Sequence, residues 1–511
     1  MAATANKFRP RGSRIALQRQ SSLAGAFSVL MAMAFVPSAG AVEWRFEPNV
    51  SASATYTDNA RQRSSNAEDA LILSVTPGFT LRSEGSRRLE AALQYGMTGV
   101  ARFGGEESDS FFHSLNATGK AELIEDFLFI DGNARISQEL ISLLGSTADA
   151  TVNDSNRATV GSYSISPYVV KRLGTFAVAQ ARYTASGAIF ENNAASDSNS
   201  NAFTAGLSSG TRFNDLSWSL NYSIRETDNQ SGTDTTFERT SATLGYALSR
   251  QFRVFGSIGE DSNEYLSVTD TAGSFYSVGF GWAPTRRTAL EASAGESYFG
   301  PTYSLAASHR TRQTRWEVRY SEEVSDISRL ATNFNDFRSG ILNSCPIGTV
   351  LPPNPTWRDA ILAGCDVTLF FGTSIVNNVF IAKALTAGVT WDVGPRTSLS
   401  VRVSDLTREF QLSTQGEDQV QIVSGAINYR LSPRTTANGG LSFARNSLDS
   451  AAMGGGAARE DDILTLNLGL HHRFAEQFSG ALTFRHTQRD SDAANSDYTE
   501  NSLTATVNMR F

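Results

Sequence analysis

Residues 501–511 alternate apolar and polar almost without fault. Leu503, Ala505, Val507, Met509 and Phe511 share one face, and Ser502, Thr504, Thr506, Asn508 and Arg510 share the other. A period of two places successive side chains on opposite sides of an extended backbone, so this stretch reads as a β-strand with one apolar face. The pattern recurs upstream. In 216–225, Leu216, Trp218, Leu220, Tyr222 and Ile224 oppose Ser217, Ser219, Asn221, Ser223 and Arg225; 385–393 and 464–474 alternate in the same way.

These segments follow a repeating grammar of strand, tight turn, strand and longer polar loop. Tight turns are expected at 249–251, 284–287, 394–396, 432–434 and 475–477, three of them carrying a proline that presets φ and cannot donate to a ladder. The long loops, rich in Asp, Asn, Ser and Gly, are expected at 61–70, 104–110, 144–157, 191–201, 227–235, 451–461 and 489–497. Trp282, Trp316, Trp391, Tyr246, Tyr429, Phe474 and Phe478 cluster at the short-turn ends, where an interfacial girdle would hold them. The grammar predicts an all-β fold: a transmembrane antiparallel β-barrel of about 22 strands (range 18–22), with short periplasmic turns and long extracellular loops. No fixed period of the kind that marks a propeller or solenoid appears.

The amino terminus adds an export signal. Lys7, Arg9, Arg11, Arg14 and Arg19 precede the apolar run 23–36, and Ala39, Gly40 and Ala41 offer small residues for cleavage. The run is shorter than the roughly 20 residues of a spanning helix, so 1–41 reads as a signal peptide and 42–511 as the barrel. No later stretch is apolar for long enough to span as a helix, which leaves the crossing to strands.

Composition agrees. Of 511 residues only 40% are hydrophobic, while glycine (41) and phenylalanine (31) are plentiful, as suits strands with a single apolar face. Cleavage would take five positive charges from a net −7, leaving −12, a balance that argues against a general nucleic-acid binder.

One stretch breaks the grammar. Residues 325–376 lack clear alternation and hold Pro346, Pro352, Pro353, Pro355 and the chain's two cysteines. In an oxidising compartment, Cys345 and Cys365 are expected to form a disulfide that closes this loop. Thr356 is placed to cap a short helix over 357–363. The loop reads either as a stapled exposed hairpin or as a lid or constriction folded into the pore.

Near the start of the mature chain, Trp44, Pro48, Tyr56, Thr57, Asp58 and Asn59, then Thr76, Pro77, Gly78 and Tyr95, resemble the opening of the outer-membrane proteins associated with the PEP-CTERM protein-sorting and exopolysaccharide systems of Gram-negative bacteria. The resemblance implies residence in the outer membrane and a role beside exopolysaccharide export or surface display. Exopolysaccharide or export-complex proteins are the partners it implies. It supplies no catalytic residues. It also implies that the terminal Phe511 is the signal read by the barrel-assembly machinery.

Candidate chemistry is sparse. His113, His309, His471, His472 and His486 fall in no metal-ligand spacing, and no G-x-S-x-G elbow stands out, so neither an enzyme nor a cofactor is expected. The polar faces are more informative. Arg225, Arg253, Arg315, Arg319, Arg402, Arg430, Arg473, Arg485 and Arg510 all lie opposite the apolar residues of their strands and would line the lumen. There they would favour anions or acidic sugars, or would brace the wall by pairing with acids such as Glu291 and Glu317. Arg402 and Arg485, farther from the short turns, are the better pore-lining candidates. The sequence thus points to a monomeric barrel in outer-membrane lipid that conducts anionic or saccharide solutes. The alternatives are a plugged barrel whose loops bind exopolysaccharide or sorted proteins, and a barrel hydrolase that assembles its residues from separate strands.

Overall fold

A computed structural model describes residues 42–104, 109–142, 145–146, 148–191, 196–230, 233–267, 269–326, 379–412, 416–449 and 458–511. These form 22 antiparallel strands, from β1 (Glu43–Thr57) to β22 (Tyr498–Arg510). Each strand pairs with its successor, and β22 pairs back onto β1, with Asn49 opposite Arg510 and Thr57 opposite Ser502. The sheet therefore closes into a barrel, which removes every free edge. The strand count matches the one expected from the alternation.

The strands are longer than the ten-residue segments that alternation marks, running from 10 to 17 residues. The expected loops shrink accordingly. β8 (Ser198–Ser209) begins inside 191–201, β9 (Leu216–Asn229) runs into 227–235, β20 (Arg459–Arg473) starts inside 451–461, and β21 (Phe478–Ser491) extends past 489. The backbone ladder continues beyond the apolar belt, where both faces meet polar surroundings or packed side chains. Alternation fades there while hydrogen bonding does not.

The exterior is apolar around the waist, with Leu220, Leu244, Ile258, Val278, Val401, Leu441, Leu468, Leu482 and Val507 exposed. Trp44, Phe46, Tyr246, Trp282, Trp316, Trp391 and Phe474 ring the short-turn end. A second band sits higher, where outward tyrosines meet polar partners. Tyr183 donates to Asn201 Oδ1 at 2.7 Å, and Tyr276 donates to Glu296 at 3.2 Å. Two amphipathic girdles around an apolar belt are the signature of a sheet that spans a bilayer. Among the described residues no helix is long and apolar enough to cross one.

The five tight turns fall where the sequence placed them, with or without a proline. Gly174, between β6 (Arg157–Leu173) and β7 (Ala177–Phe190), has φ +60°, a left-handed conformation that a Cβ would disfavour.

Candidate functional site in the barrel lumen

Because alternate side chains face opposite ways, the exposed apolar residues fix which phase of each strand looks outward and which looks into the lumen. All nine arginines singled out above take the lumenal phase. In β22, for example, Leu503, Val507 and Met509 are outside and Arg510 is inside; in β20, Leu468 and Leu470 are outside and Arg473 is inside. Arg315 and Arg319 lie on β15 (Thr314–Ser325), Arg253 on β11 (Phe252–Glu264), Arg402 on β17 (Thr397–Phe410) and Arg430 on β18 (Glu417–Ser432). Arg225 is on β9 and Arg485 on β21.

Toward the short turns these side chains are solvated. Arg253, Arg315, Arg319, Arg430, Arg473 and Arg510 are exposed, and among the described residues only Arg253 meets an acid, Glu291. Glu317 sits between Arg315 and Arg319 on the same face, yet forms no ion pair among the described residues. Farther in, Arg485 donates from Nε to Thr487 Oγ1 at 3.2 Å. The short-turn half of the lumen therefore carries five exposed guanidiniums, of Arg315, Arg319, Arg430, Arg473 and Arg510, that make no ion pair among the described residues.

The long-loop half is built differently. Arg408 of β17 and Asp418 of β18 form a buried two-point pair, with Nε to Oδ1 at 2.8 Å. Asp461 is completely buried between Arg459, at 3.0 Å, and Arg489, which contacts its other oxygen. Nearer the short turns, by contrast, one inward arginine is neutralised: Arg182 reaches Asp131 at 2.9 Å and lies 3.9 Å over the Tyr168 ring. Apolar side chains also turn inward in the long-loop half: Ile72, Val100, Val160, Phe190, Phe380, Val420 and Ile422 all take the lumenal phase and are buried. A water-filled channel would leave such residues wet, so these stretches of the lumenal wall are packed rather than open.

Part of the packing comes from the segment that joins β5 (Leu128–Leu140) to β6. Val152 packs on Ile72 of β2 (Ala70–Glu84) and Val100 of β3 (Leu89–Phe103), beside Ala60 and Phe112. Arg102 of β3 donates to the carbonyls of Thr151 at 3.1 Å and Ala150 at 2.9 Å, and to Ser110 Oγ at 2.7 Å. Ser110 in turn donates to Asp154 at 2.8 Å. Arg157 donates to the Ala148 carbonyl at 3.0 Å, Arg489 to the Gly145 carbonyl at 2.9 Å, and Ser146 to Gln62 at 2.8 Å. Each of the bonds here in which an arginine or Asp154 takes part contributes about 1.5–3 kcal/mol, and the neutral Ser146–Gln62 bond about 0.5–1.5 kcal/mol.

Sequence reasoning missed Arg102, Arg157, Arg408, Arg459 and Arg489 and their acids. It expected any inward-folded segment at 325–376, whereas the one seen lies between β5 and β6. A signal was present. β2 opens Ala70-Leu71-Ile72-Leu73 and β18 contains Val420, Ile422 and Val423, so both faces are apolar at the loop ends, as a covered lumen requires. Cys345, Cys365, the helix expected at 357–363 and the signal peptide expected at 1–41 lie outside the described residues. Of the histidines, His113, His309, His472 and His486 take the outward phase and bond to Tyr95, Thr288, Thr435 and Asn501, while His471 faces the lumen. Among the described residues no three potential metal ligands come together.

Comparison with known proteins agrees with this architecture. The family model described as "Putative beta-barrel porin 2" matches residues 381–511, which correspond to β16 (Phe380–Gly394) through β22. No curated protein matches the sequence. Among solved structures, the chain is similar to the FrpB iron transporter of Neisseria meningitidis (F5-1 variant), with TM-score 0.52 and 10% identity over 91% of this chain and 82% of that one. The apoprotein form of the same transporter gives TM-score 0.51 at 10% identity, over 91% of this chain and 81% of that one. A mutant ferric enterobactin receptor of Pseudomonas aeruginosa, in complex with enterobactin, gives 0.50 at 9% identity over 93% and 82%. At such identities the likeness is one of fold: the chain is a closed 22-stranded β-barrel, porin-like in the sequence of its last seven strands.

Proposed function

We propose that this protein is a porin-like conduit of the Gram-negative outer membrane that passes anionic or saccharide solutes. The observation that carries the reading is the solvated guanidinium lining of the short-turn half of the lumen: Arg315, Arg319, Arg430, Arg473 and Arg510, with Arg402 and Arg485 deeper in. In a lumen bounded by low-dielectric walls, such a lining raises the local concentration of anions. The short turns then face the periplasm, residues 1–41 are the export signal, and a Cys345–Cys365 disulfide closes the segment that breaks the strand grammar. The resemblance at Trp44 to Tyr95 supports a place beside PEP-CTERM sorting and exopolysaccharide export, with acidic polysaccharide as the natural anionic cargo. The barrel works as a monomer in outer-membrane lipid.

The test is conductance in planar bilayers with a salt gradient across the membrane. The expected reversal potential favours chloride over potassium, and Arg402→Ser with Arg485→Ser reduces that preference. A conducting barrel whose selectivity is unchanged by this pair would assign both residues to bracing the wall.

A second reading has its own observation. The packed long-loop end, with the β5–β6 segment bonded across it, suits a closed barrel that anchors exopolysaccharide or sorted proteins through its loops. A purified barrel that carries no current at any salt concentration would favour it.

A further inference from the structure

We propose that the β5–β6 segment is the size-limiting constriction of the lumen, and that the guanidiniums of Arg102, Arg157 and Arg489 are the groups that hold it in place. The inference rests on the conduit reading and adds to it the element that sets which solutes fit.

Three features carry it. The first is reach. Arg157 opens β6 and Arg489 is on β21, and in the ring of staves these strands are separated by β22, β1, β2, β3, β4 (Ser110–Ile124) and β5. Through its described residues, 145–146 and 148–156, the segment thus makes contacts over an arc of eight neighbouring strands. The second is the kind of bond. The acceptors are backbone carbonyls of Gly145, Ala148, Ala150 and Thr151, so the fastening depends on the path of the segment more than on its side chains. Arg102, Arg157 and Arg489 are themselves buried, and a carbonyl released from a buried guanidinium would leave both groups unmet. The third is dryness. Val152 lies on Ile72 and Val100, lumenal positions that would otherwise face water.

Together these make one side of the long-loop end a packed wall, while the short-turn end keeps its solvated arginines. A passage that narrows in this way selects by size at its packed end and by charge at its open end.

The experiment uses the full-length protein carrying Cys345→Ser and Cys365→Ser, reconstituted in liposomes and planar bilayers. One variant replaces residues 148–154 by a short glycine linker, which leaves the wall intact. A second carries Arg102→Ala with Arg489→Ala, which leaves the segment intact. A third adds Gln62→Cys and Ser146→Cys to the second, so that oxidation ties the segment back. The expected result is that the first two conduct about twofold or more above the parent and admit larger sugars in liposome swelling. Oxidation of the third returns conductance and size limit to the parent values, and reduction releases them. Heat-modifiable gel mobility checks that each barrel is folded. If the shortened variant conducts but admits no larger sugars than the parent, the proposal is overturned and the conduit reading stands. If neither the parent nor the shortened variant conducts, both fall.

Discussion

Arg408 and Asp418 face each other across β17 and β18 on the lumenal side, and water scarcely touches either, with side-chain exposures of 1% and 4%. The Phe380 and Phe410 rings lie 5.4 and 5.7 Å from the guanidinium and complete its enclosure. Removing one partner of such a pair strands the other charge in a place it cannot be hydrated. Arg408→Ala should therefore lower unfolding stability by about 3–5 kcal/mol, and Arg408→Met combined with Asp418→Leu should recover most of the loss. Urea unfolding of the detergent-refolded barrel, followed by tryptophan fluorescence, reads both. A loss of only about 0–1 kcal/mol for the single variant, the size seen for exposed pairs, would mean that Asp418 finds water when Arg408 is gone.

Charge along the lumen should act according to whether it is already neutralised. Arg430→Glu, Arg473→Glu and Arg510→Glu each reverse a solvated charge and are expected to move the reversal potential toward cations in stepwise fashion. Arg459→Gln, at a residue paired with Asp461, is expected to cost stability and to leave selectivity nearly alone. Equal selectivity changes from the two classes would contradict the division of the lumen into a solvated half and a neutralised half.

Tyr265 and Tyr298 sit in turns at the long-loop end, with their hydroxyls 3.1 Å apart. Burial is the main cause that pushes both phenols above their usual value, and in Tyr298 the bond to Tyr265 adds to it. The folded state thus holds these protons more tightly than the unfolded chain, whose tyrosines ionise near pH 10. The resulting stabilisation is complete below about pH 10 and is lost as pH rises from there through the raised folded values. Absorbance of tyrosinate should show a late-ionising fraction that Tyr298→Phe reduces, and the urea midpoint of the parent should fall more steeply above about pH 10 than that of Tyr265→Phe with Tyr298→Phe.

Phe511 donates its amide to the Pro48 carbonyl at 3.0 Å, while the residue as a whole is 61% exposed. Deleting Phe511 removes one ladder bond, about 0.5–1.5 kcal/mol, and should hardly change refolding in detergent. If the ring is the mark read by the assembly machinery, the same deletion should sharply reduce the folded protein recovered from outer membranes. Matching losses in vitro and in cells would reduce Phe511 to a ladder residue.

How much of this was legible in the sequence follows from where water meets the strands. Around the waist one face meets lipid and the other water, so Leu216 to Ile224 and Leu503 to Phe511 announce themselves, and with them the strand count and the lumenal phase of nine arginines. At the long-loop end that contrast disappears. Ile72 beside Leu71 and Leu73 looks like an interruption of the pattern, yet it is a lumenal residue covered by Val152. Arg408 reads as one more polar residue near a loop, because its burial depends on Phe380, Phe410 and Asp418, and alternation along a single strand carries no information about them. The inward turn of the β5–β6 segment was likewise hidden, since its acceptors are backbone carbonyls that every residue possesses.

The pairing of β22 with β1 carries a further consequence. Asn49 and Arg510 lie at opposite ends of the sheet in sequence, so the ring can be sealed only by a contact of nearly maximal separation along the chain. Until that contact forms, β1 and β22 each expose a row of unsatisfied amides and carbonyls, and each can recruit a foreign strand. The hazard for this molecule is therefore greatest late in its biogenesis, when twenty-one ladders are made and one is missing. A nascent barrel stalled at that stage is a template for aggregation, and escorting it to closure matters more than stabilising what has already formed.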